Sequence, residues 1–249
     1  MSSPESNNTQ SPDLGSSIDW KQYYNREHEI IRFVPETDST ELLRLEFVES
    51  LLPNEPMERI LDAGCGEGYQ CRTLARRCRF IAGCDIAFPR LQFARRYSVG
   101  LPLCNADLLC PPFREKSFDL VTLVEVLEHL PEPQPVLREL IKISRRYFLV
   151  TVPYRQNLQR VMCPHCLKTY MLDGHLHRFD EVALRTMLEE VGLRILGVKR
   201  FFLPGAWETA RLLRWLPYRG RQIVRHSLQT VGLVAPDNAV FIGALCEIP

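Results

Sequence analysis

Three groups of residues in this chain have the types and spacing to do chemistry. The first is the string Ile60-Leu-Asp-Ala-Gly-Cys-Gly-Glu-Gly68, in which Asp62 precedes glycines at 64, 66 and 68. Glycine tolerates φ > 0 and, lacking a Cβ, lets the backbone come close to a ligand. The second is Glu125-Val-Leu-Glu128-His129, two carboxylates and an imidazole able to move protons. The third is Cys163-Pro-His-Cys166 followed by Gly174-His175-Leu-His177. Two thiolates two residues apart can bind one zinc from a tight knuckle, and a later histidine can complete a tetrahedral set. The candidate ligands are Cys163, Cys166 and His175, with His177 or His165 as the fourth. A redox Cys-x-x-Cys lacks a thioredoxin-like context here.

These groups need elements to hold them. Ile60 and Leu61 end a short apolar run, as a buried strand would. After Gly68, Cys71, Leu74, Ala75 and Cys78 fall on one side and the arginines mostly on the other, which predicts a helix to about Arg77. A strand, a glycine turn and a helix open a nucleotide-binding βα unit, with free N–H groups at the helix start. The spacing is Gly-x-Gly-x-Gly, unlike the dinucleotide fingerprint, and no Gly-Lys-Ser/Thr marks a P-loop. Phe80 to Cys84 reads as a second strand ending in Asp85, 19 residues after Gly66. An acid at that tip can accept both ribose hydroxyls, or it can serve as an ordinary turn or N-cap residue.

With Asp62 ahead of it, the glycine string resembles motif I of the class I S-adenosylmethionine-dependent methyltransferases. The resemblance implies a doubly wound, seven-stranded Rossmann-like α/β sheet with an antiparallel last strand. It implies S-adenosylmethionine as cofactor, held by Asp62, Gly64, Cys65, Gly66, Gly68, Asp85, Ile86, Asp107, Leu108 and Val124. Asp107 would take the exocyclic amine of adenine ahead of the Pro111-Pro112-Phe113 turn, with a solvated loop Asp as the alternative. His129 is the first candidate base, Glu125 the next, with Glu128 and Tyr154 behind them; alternatively Glu125 and His129 only shape the pocket. Glu-His-Leu after the fourth strand resembles the ubiquinone-pathway and other small-molecule O-methyltransferases. Small-RNA 2′-O-methyltransferases, which bind Mg²⁺ through Glu-x-x-Glu-His and a later histidine, offer another comparison through Glu125, Glu128, His129 and His177. A third reading is a cofactor-binding partner protein without turnover.

The remaining pattern fits an alternating sheet. Leu101 to Leu103 is expected as the third strand, Phe118 to Val124 as the fourth, and Tyr147 to Val152 as the fifth. Leu193 to Phe202 and Asn238 to Glu247 complete the strands. Thr40 to Leu52 reads as an amphipathic helix, and so do stretches after Pro133 and after Asp180. The division expected is a disordered tail over 1–17, N-terminal helices over 18–58 and a methyltransferase domain over 59–249. That domain carries two inserts: 154–179, expected to bind structural zinc, and 204–237, basic and helical. The second insert has five arginines and no acid between Thr209 and Pro236, which suits a helical lid with a solvated basic face, peripheral contact with an anionic membrane or binding of a phosphorylated substrate.

Composition sets outer limits. The 249 residues are 45% hydrophobic and 24% charged, enough for one large α/β domain. A net charge of +1 gives no global field toward nucleic acid, which makes nucleic acid an unexpected partner. No apolar run approaches the ~20 residues of a membrane span. The first residues lack a basic segment followed by an apolar one, so a cytoplasmic location is expected. Nine cysteines suit a reducing compartment, with Cys65, Cys71, Cys78, Cys84, Cys104 and Cys110 expected as small apolar residues.

Overall fold

The computed structural model describes residues 19–30, 39–98, 100–165, 167–202 and 239–249. The expected tail, the basic insert over 204–237 and Cys166 therefore lie outside the described residues.

Two helices come first, α1 (Trp20–Ile30) and α2 (Ser39–Leu51). Then strand and helix alternate through β1 (Met57–Ala63), α3 (Tyr69–Leu74), β2 (Cys78–Asp85), α4 (Phe88–Tyr97), β3 (Leu103–Asn105) and β4 (Phe118–Val124). Helix α5 (Pro133–Ile143) leads into β5 (Ser144–Pro153). A small hairpin, β6 (Arg160–Met162) and β7 (Thr169–Met171), interrupts the alternation before α6 (Glu181–Glu190), β8 (Arg194–Phe202) and β9 (Ala239–Glu247).

The large sheet has seven strands in the order β3-β2-β1-β4-β5-β9-β8. Strands β1 to β5 run parallel to one another, whereas β9 runs antiparallel to both β5 and β8. The doubly wound architecture and the antiparallel last strand expected from the sequence are both present. The chain leaves β1 toward β2 on one side and later fills the other side with β4. That reversal opens a crevice beyond the carboxyl ends of the parallel strands, where ligands of open α/β sheets bind.

The strand β4, Phe-Asp-Leu-Val-Thr-Leu-Val, is buried at every position, as a parallel strand covered on both faces must be. Leu61, Val121, Leu123 and Phe148 pack on one face with α5 and α6. Ile60, Leu120 and Leu149 pack on the other with α2 and α3. The two polar side chains inside β4 are satisfied. Asp119 accepts the amides of Glu58 and Arg59 at 2.9 Å each, and the Thr122 hydroxyl donates to Asp62 at 2.7 Å.

Several boundaries differ from the sequence reading for identifiable reasons. The third strand falls at Leu103–Asn105, not 101–103, because Pro102 has no N–H for a ladder. The Pro102 carbonyl still accepts from Gly83 at 2.9 Å, so the segment is joined to the sheet one-sidedly. The helix after Gly68 tightens into a 3-10 turn over Ala75–Arg77. Of the six cysteines expected at apolar positions, Cys65, Cys71 and Cys84 are buried and Cys78 and Cys104 half-buried, but Cys110 is exposed in the loop after β3.

Candidate functional site

Asp62 sits near the end of β1, 1% exposed. It accepts the Thr122 hydroxyl at 2.7 Å and the Cys71 thiol at 3.3 Å. Burial pushes its carboxyl up to about 6, against those two donors. The chain then turns. Gly64 has φ +74, and a Cβ there would collide with the Val126 side chain. The amides of Gly64 and Cys65 both donate to the Cys84 carbonyl, at 2.8 and 2.9 Å, which pins the loop to β2. Gly66, at φ +50, donates its N–H to Asp85 at 2.8 Å.

Asp85 thus has two structural duties at the tip of β2. One oxygen holds the glycine loop through Gly66, and the other accepts the Ala87 amide at 2.7 Å, at the start of α4. The ordinary turn role and the ligand role weighed from the sequence are compatible, since each carboxylate oxygen keeps a second acceptor direction. Burial raises the Asp85 carboxyl while the two amides lower it. Asp107, exposed after β3, accepts the Leu109 amide at 2.9 Å in a tight turn.

These residues line one cleft of about 1310 Å³. Asp62, Gly64, Cys65, Gly66, Asp85, Ile86, Asp107, Leu108 and Val124 all reach it. Gly68 does not; it stands behind the loop as the left-handed N-cap residue of α3, at φ +78.

The far half of the cleft is formed by the turn after β4. Glu125 adopts φ +53, a costly conformation for a residue with a Cβ. Its side chain accepts the Thr151 hydroxyl at 2.8 Å, and burial pushes its carboxyl up to about 7. Glu128 is 1% exposed, and neither of its carboxyl oxygens has a hydrogen-bond partner among the described residues. Burial first, and then Glu125, raise it well above the usual carboxylate range. His129 Nε2 lies 3.8 Å from Glu128 Oε1. Burial, with His175 adding to it, pushes His129 down to about 3, so its ring is neutral. The Tyr24 ring of α1 meets the His129 ring edge-on at 5.8 Å.

The insert over 154–179 docks against this turn. The Glu128 carbonyl accepts the amides of Leu176 at 2.7 Å and His177 at 3.2 Å. His175 is thereby brought to His129, with ring centroids 4.4 Å apart. One ligand atom each from Glu128, His129 and His175 lies within 4.8 Å of the others, a set able to hold a metal ion. His177 turns elsewhere and donates Nε2–H to the Leu130 carbonyl at 2.7 Å. Cys163 lies at the tip of the β6–β7 hairpin, where its amide donates to the Lys168 carbonyl. The expected grouping of Cys163 with His175 and His177 is not assembled among the described residues.

Several cleft residues escaped the sequence reading, among them a charge pair on α2. Glu41 and Arg44 of α2 pair at 2.5 Å and line the cleft. Arg44 lowers the carboxyls of Asp62, Glu125 and Glu128 from across the cavity. The signal was available: 41, 44, 48 and 51 recur on one helical face, and that face is otherwise the buried one, with Val48 and Leu51. A charge pair on a core-facing stripe points to a pocket.

Residues 61–146 match the model of the family described as "Methyltransferase domain". The ubiquinone biosynthesis O-methyltransferase of Photorhabdus laumondii is 32% identical over 103 residues, 38% of this chain and 43% of that protein. The protein of the same name from Hahella chejuensis is 33% identical over 109 residues, 41% of this chain and 45% of its own length. The chain thus spans less than half the length of these two curated relatives. Among solved structures, 1,6-didemethyltoxoflavin-N1-methyltransferase from Burkholderia thailandensis, with S-adenosylhomocysteine bound, superposes with a TM-score of 0.59 at 14% identity. That alignment covers 92% of this chain and 87% of the other. An S-adenosylmethionine-dependent methyltransferase from Mesorhizobium loti gives 0.57 at 17% identity over 82% of this chain and 97% of its own. The fold is that of the class I S-adenosylmethionine-dependent methyltransferase superfamily.

Proposed function

With this fold closed around one cleft, we propose that the chain transfers a methyl group from S-adenosylmethionine to a hydroxyl of a small-molecule or lipid- or sugar-linked acceptor. The observation that carries the reading is the shared cleft. The glycine loop, Asp85 and Asp107 line one end and Glu125, Glu128 and His129 the other. The name of the curated relatives, an O-methyltransferase of ubiquinone biosynthesis, supports oxygen as the acceptor atom.

Each residue then has a task. Asp85 accepts ribose hydroxyls with the lone pairs left over from Gly66 and Ala87. Asp107 takes the adenine amine, and Arg44 faces the carboxylate of the amino-acid end. The bound cofactor supplies a sulfonium methyl, already a strong electrophile, so alignment of the acceptor oxygen does much of the catalytic work. His129, neutral and half-buried, is the first candidate to take the acceptor's proton, although the burial that keeps it neutral also weakens it as a base; Glu125, raised to about 7, is the second candidate and the better matched in acidity. The test is transfer of labelled methyl from S-adenosylmethionine to phenolic and lipid fractions of cell extract. His129→Ala and Glu125→Gln should retain cofactor binding and lower turnover by about 10²-fold or more. Tight cofactor binding with no labelled product from any fraction would favour a non-catalytic partner protein.

A second reading is favoured by the Glu128–His129–His175 cluster. A buried carboxyl with no hydrogen-bond partner among the described residues, beside two imidazoles, has the donor chemistry of a divalent-cation site. Metal-dependent methyl transfer, including to the 2′-hydroxyl of a small RNA, would use it. Turnover abolished by chelation and restored by Mg²⁺ or Mn²⁺ supports this reading, and turnover indifferent to chelation removes it. A structural zinc on Cys163 and Cys166 rests on their spacing alone. Native mass spectrometry of wild type against Cys163→Ser/Cys166→Ser decides it by the metal lost. Among the described residues, no helix is long and apolar enough to cross a membrane. Peripheral membrane contact through 204–237 and a cytoplasmic location are proposals from the sequence.

A further inference from the structure

A neutral imidazole carries a proton on one nitrogen and a lone pair on the other. Which nitrogen can meet a ligand depends on what its opposite member touches. In the cleft, His129 presents Nδ1 to the Gly174 carbonyl oxygen at 3.4 Å. His175 presents Nδ1 to the side-chain oxygen, Oε1, of Gln156. The Gly174 carbonyl can only accept, and the Gln156 amide turns its oxygen rather than its NH2 to His175, so in each ring Nδ1 is the nitrogen that donates. Each ring is then left with its free pair on Nε2. For His129 that nitrogen faces Glu128 at 3.8 Å.

Gln156 comes from the loop between β5 and β6, is half-buried, and lines the same cleft. Its side-chain oxygen faces His175 Nδ1. The backbone supplies the equivalent partner for His129, because Gly174, at φ +68, turns its carbonyl toward that ring. Among the described residues, the partner of His175 Nδ1 is this side chain.

We infer that Gln156 is a positioning residue that holds His175 in its Nδ1–H tautomer, so that Nε2 is the nitrogen available to whatever binds between Glu128 and the two histidines. The inference rests on the cation reading for its ligand, but its geometry is a property of the protein without any ligand. Outer partners of this kind commonly shift metal affinity by about 10- to 100-fold.

The experiment is a two-bond ¹H–¹⁵N correlation spectrum of the full chain with ¹⁵N-histidine, stripped of metal and held at neutral pH. His129→Asn and His175→Asn assign the two rings. Both rings are expected as Nδ1–H. In Gln156→Leu, His175 should fall into a tautomer mixture while His129 stays as it was. In Gln156→Glu, whose carboxylate still accepts from Nδ1, His175 should remain Nδ1–H. Calorimetric titration of the same proteins with Mn²⁺ should show about 10- to 100-fold weaker binding for Gln156→Leu and near-normal binding for Gln156→Glu. An Nε2–H His175 in the wild type overturns the inference, whatever Mn²⁺ does. So does a Gln156→Leu protein whose His175 tautomer is unchanged. An Nδ1–H His175 that depends on Gln156, in a protein that takes up no Mn²⁺, upholds the positioning role and retires the cation reading.

Discussion

Asp62 holds its carboxyl at the end of β1 with two donors and almost no water. Its acid is raised from 3.8 to about 6, so the folded state prefers the neutral form. The sign follows: below about pH 4 the group is protonated folded and unfolded and costs nothing. As pH rises through 4 to 6 the unfolded chain ionises first and stability falls. At pH 7.5 the loss is about 3 kcal/mol. Asp62→Asn keeps an acceptor for Thr122 and removes the charge. The cofactor-free variant should be more stable than wild type by about this amount at pH 7.5 and nearly equal at pH 4. Urea unfolding at the two pH values measures it, and an equal offset at both would contradict the burial argument. Gly66 makes a different demand. A Cβ there meets nothing nearer than Arg90 Nη1 at 3.5 Å, but φ is +50. Gly66→Val should still fold, with its thermal transition lowered by the strain of a β-branched residue at positive φ, and should lose cofactor affinity by at least about tenfold; an unchanged affinity would remove the loop from the site. Gly64, Gly66, Asp85 and Asp107 were legible as cleft residues because their spacing along the chain reflects one loop and two strand tips. The double duty of Asp85 was not, since a spacing does not say which amides a carboxylate will meet.

At the scale of elements, α2 shows how a site residue hides. It looks like an ordinary amphipathic helix, yet Glu41 and Arg44 lie on its packed side and reach the cleft. If Arg44 meets the cofactor's carboxylate, Arg44→Met should weaken S-adenosylhomocysteine binding by about 1.5–3 kcal/mol. Binding of methylthioadenosine, which has no amino-acid end, should be unaffected, and equal losses for both would place Arg44 elsewhere. The other side of α2 is read from Gly243 on β9. A Cβ at Gly243 would run into Leu51 of α2 and stand 3.0 Å from Thr151 Cγ2 on β5. Gly243→Val should cost about 1–3 kcal/mol in chemical denaturation, and a neutral result would mean that α2 is not seated on the sheet as described. Strong apolar runs such as β4 were found residue for residue. The weak elements were missed or shifted: β3 because a proline interrupts it, and the β6–β7 hairpin because its side chains are mostly exposed and carry no stripe.

At the scale of the molecule, the topology explains the cleft better than any single motif does. Strands β1, β2 and β4 deliver Asp62, Asp85 and Glu125 to the carboxyl-end side of the sheet, although these residues are far apart in sequence. The insert after β5 adds His175 to the same side. Sequence spacing assigned that histidine to a knuckle with Cys163 and Cys166, because short spacing suggests shared ligands. In the fold, the hairpin holds Cys163 at its tip and delivers His175 from its base. A hairpin separates its tip from its base, and a spacing rule does not register that. All of this depends on the glycine-loop end of the cleft holding S-adenosylmethionine. Calorimetric titration of the purified full chain with S-adenosylmethionine and S-adenosylhomocysteine measures that binding. One site per chain with micromolar affinity, about −8 kcal/mol, is expected for both ligands. A folded protein that gives no binding heat with either, and no shift in its thermal transition, would contradict it.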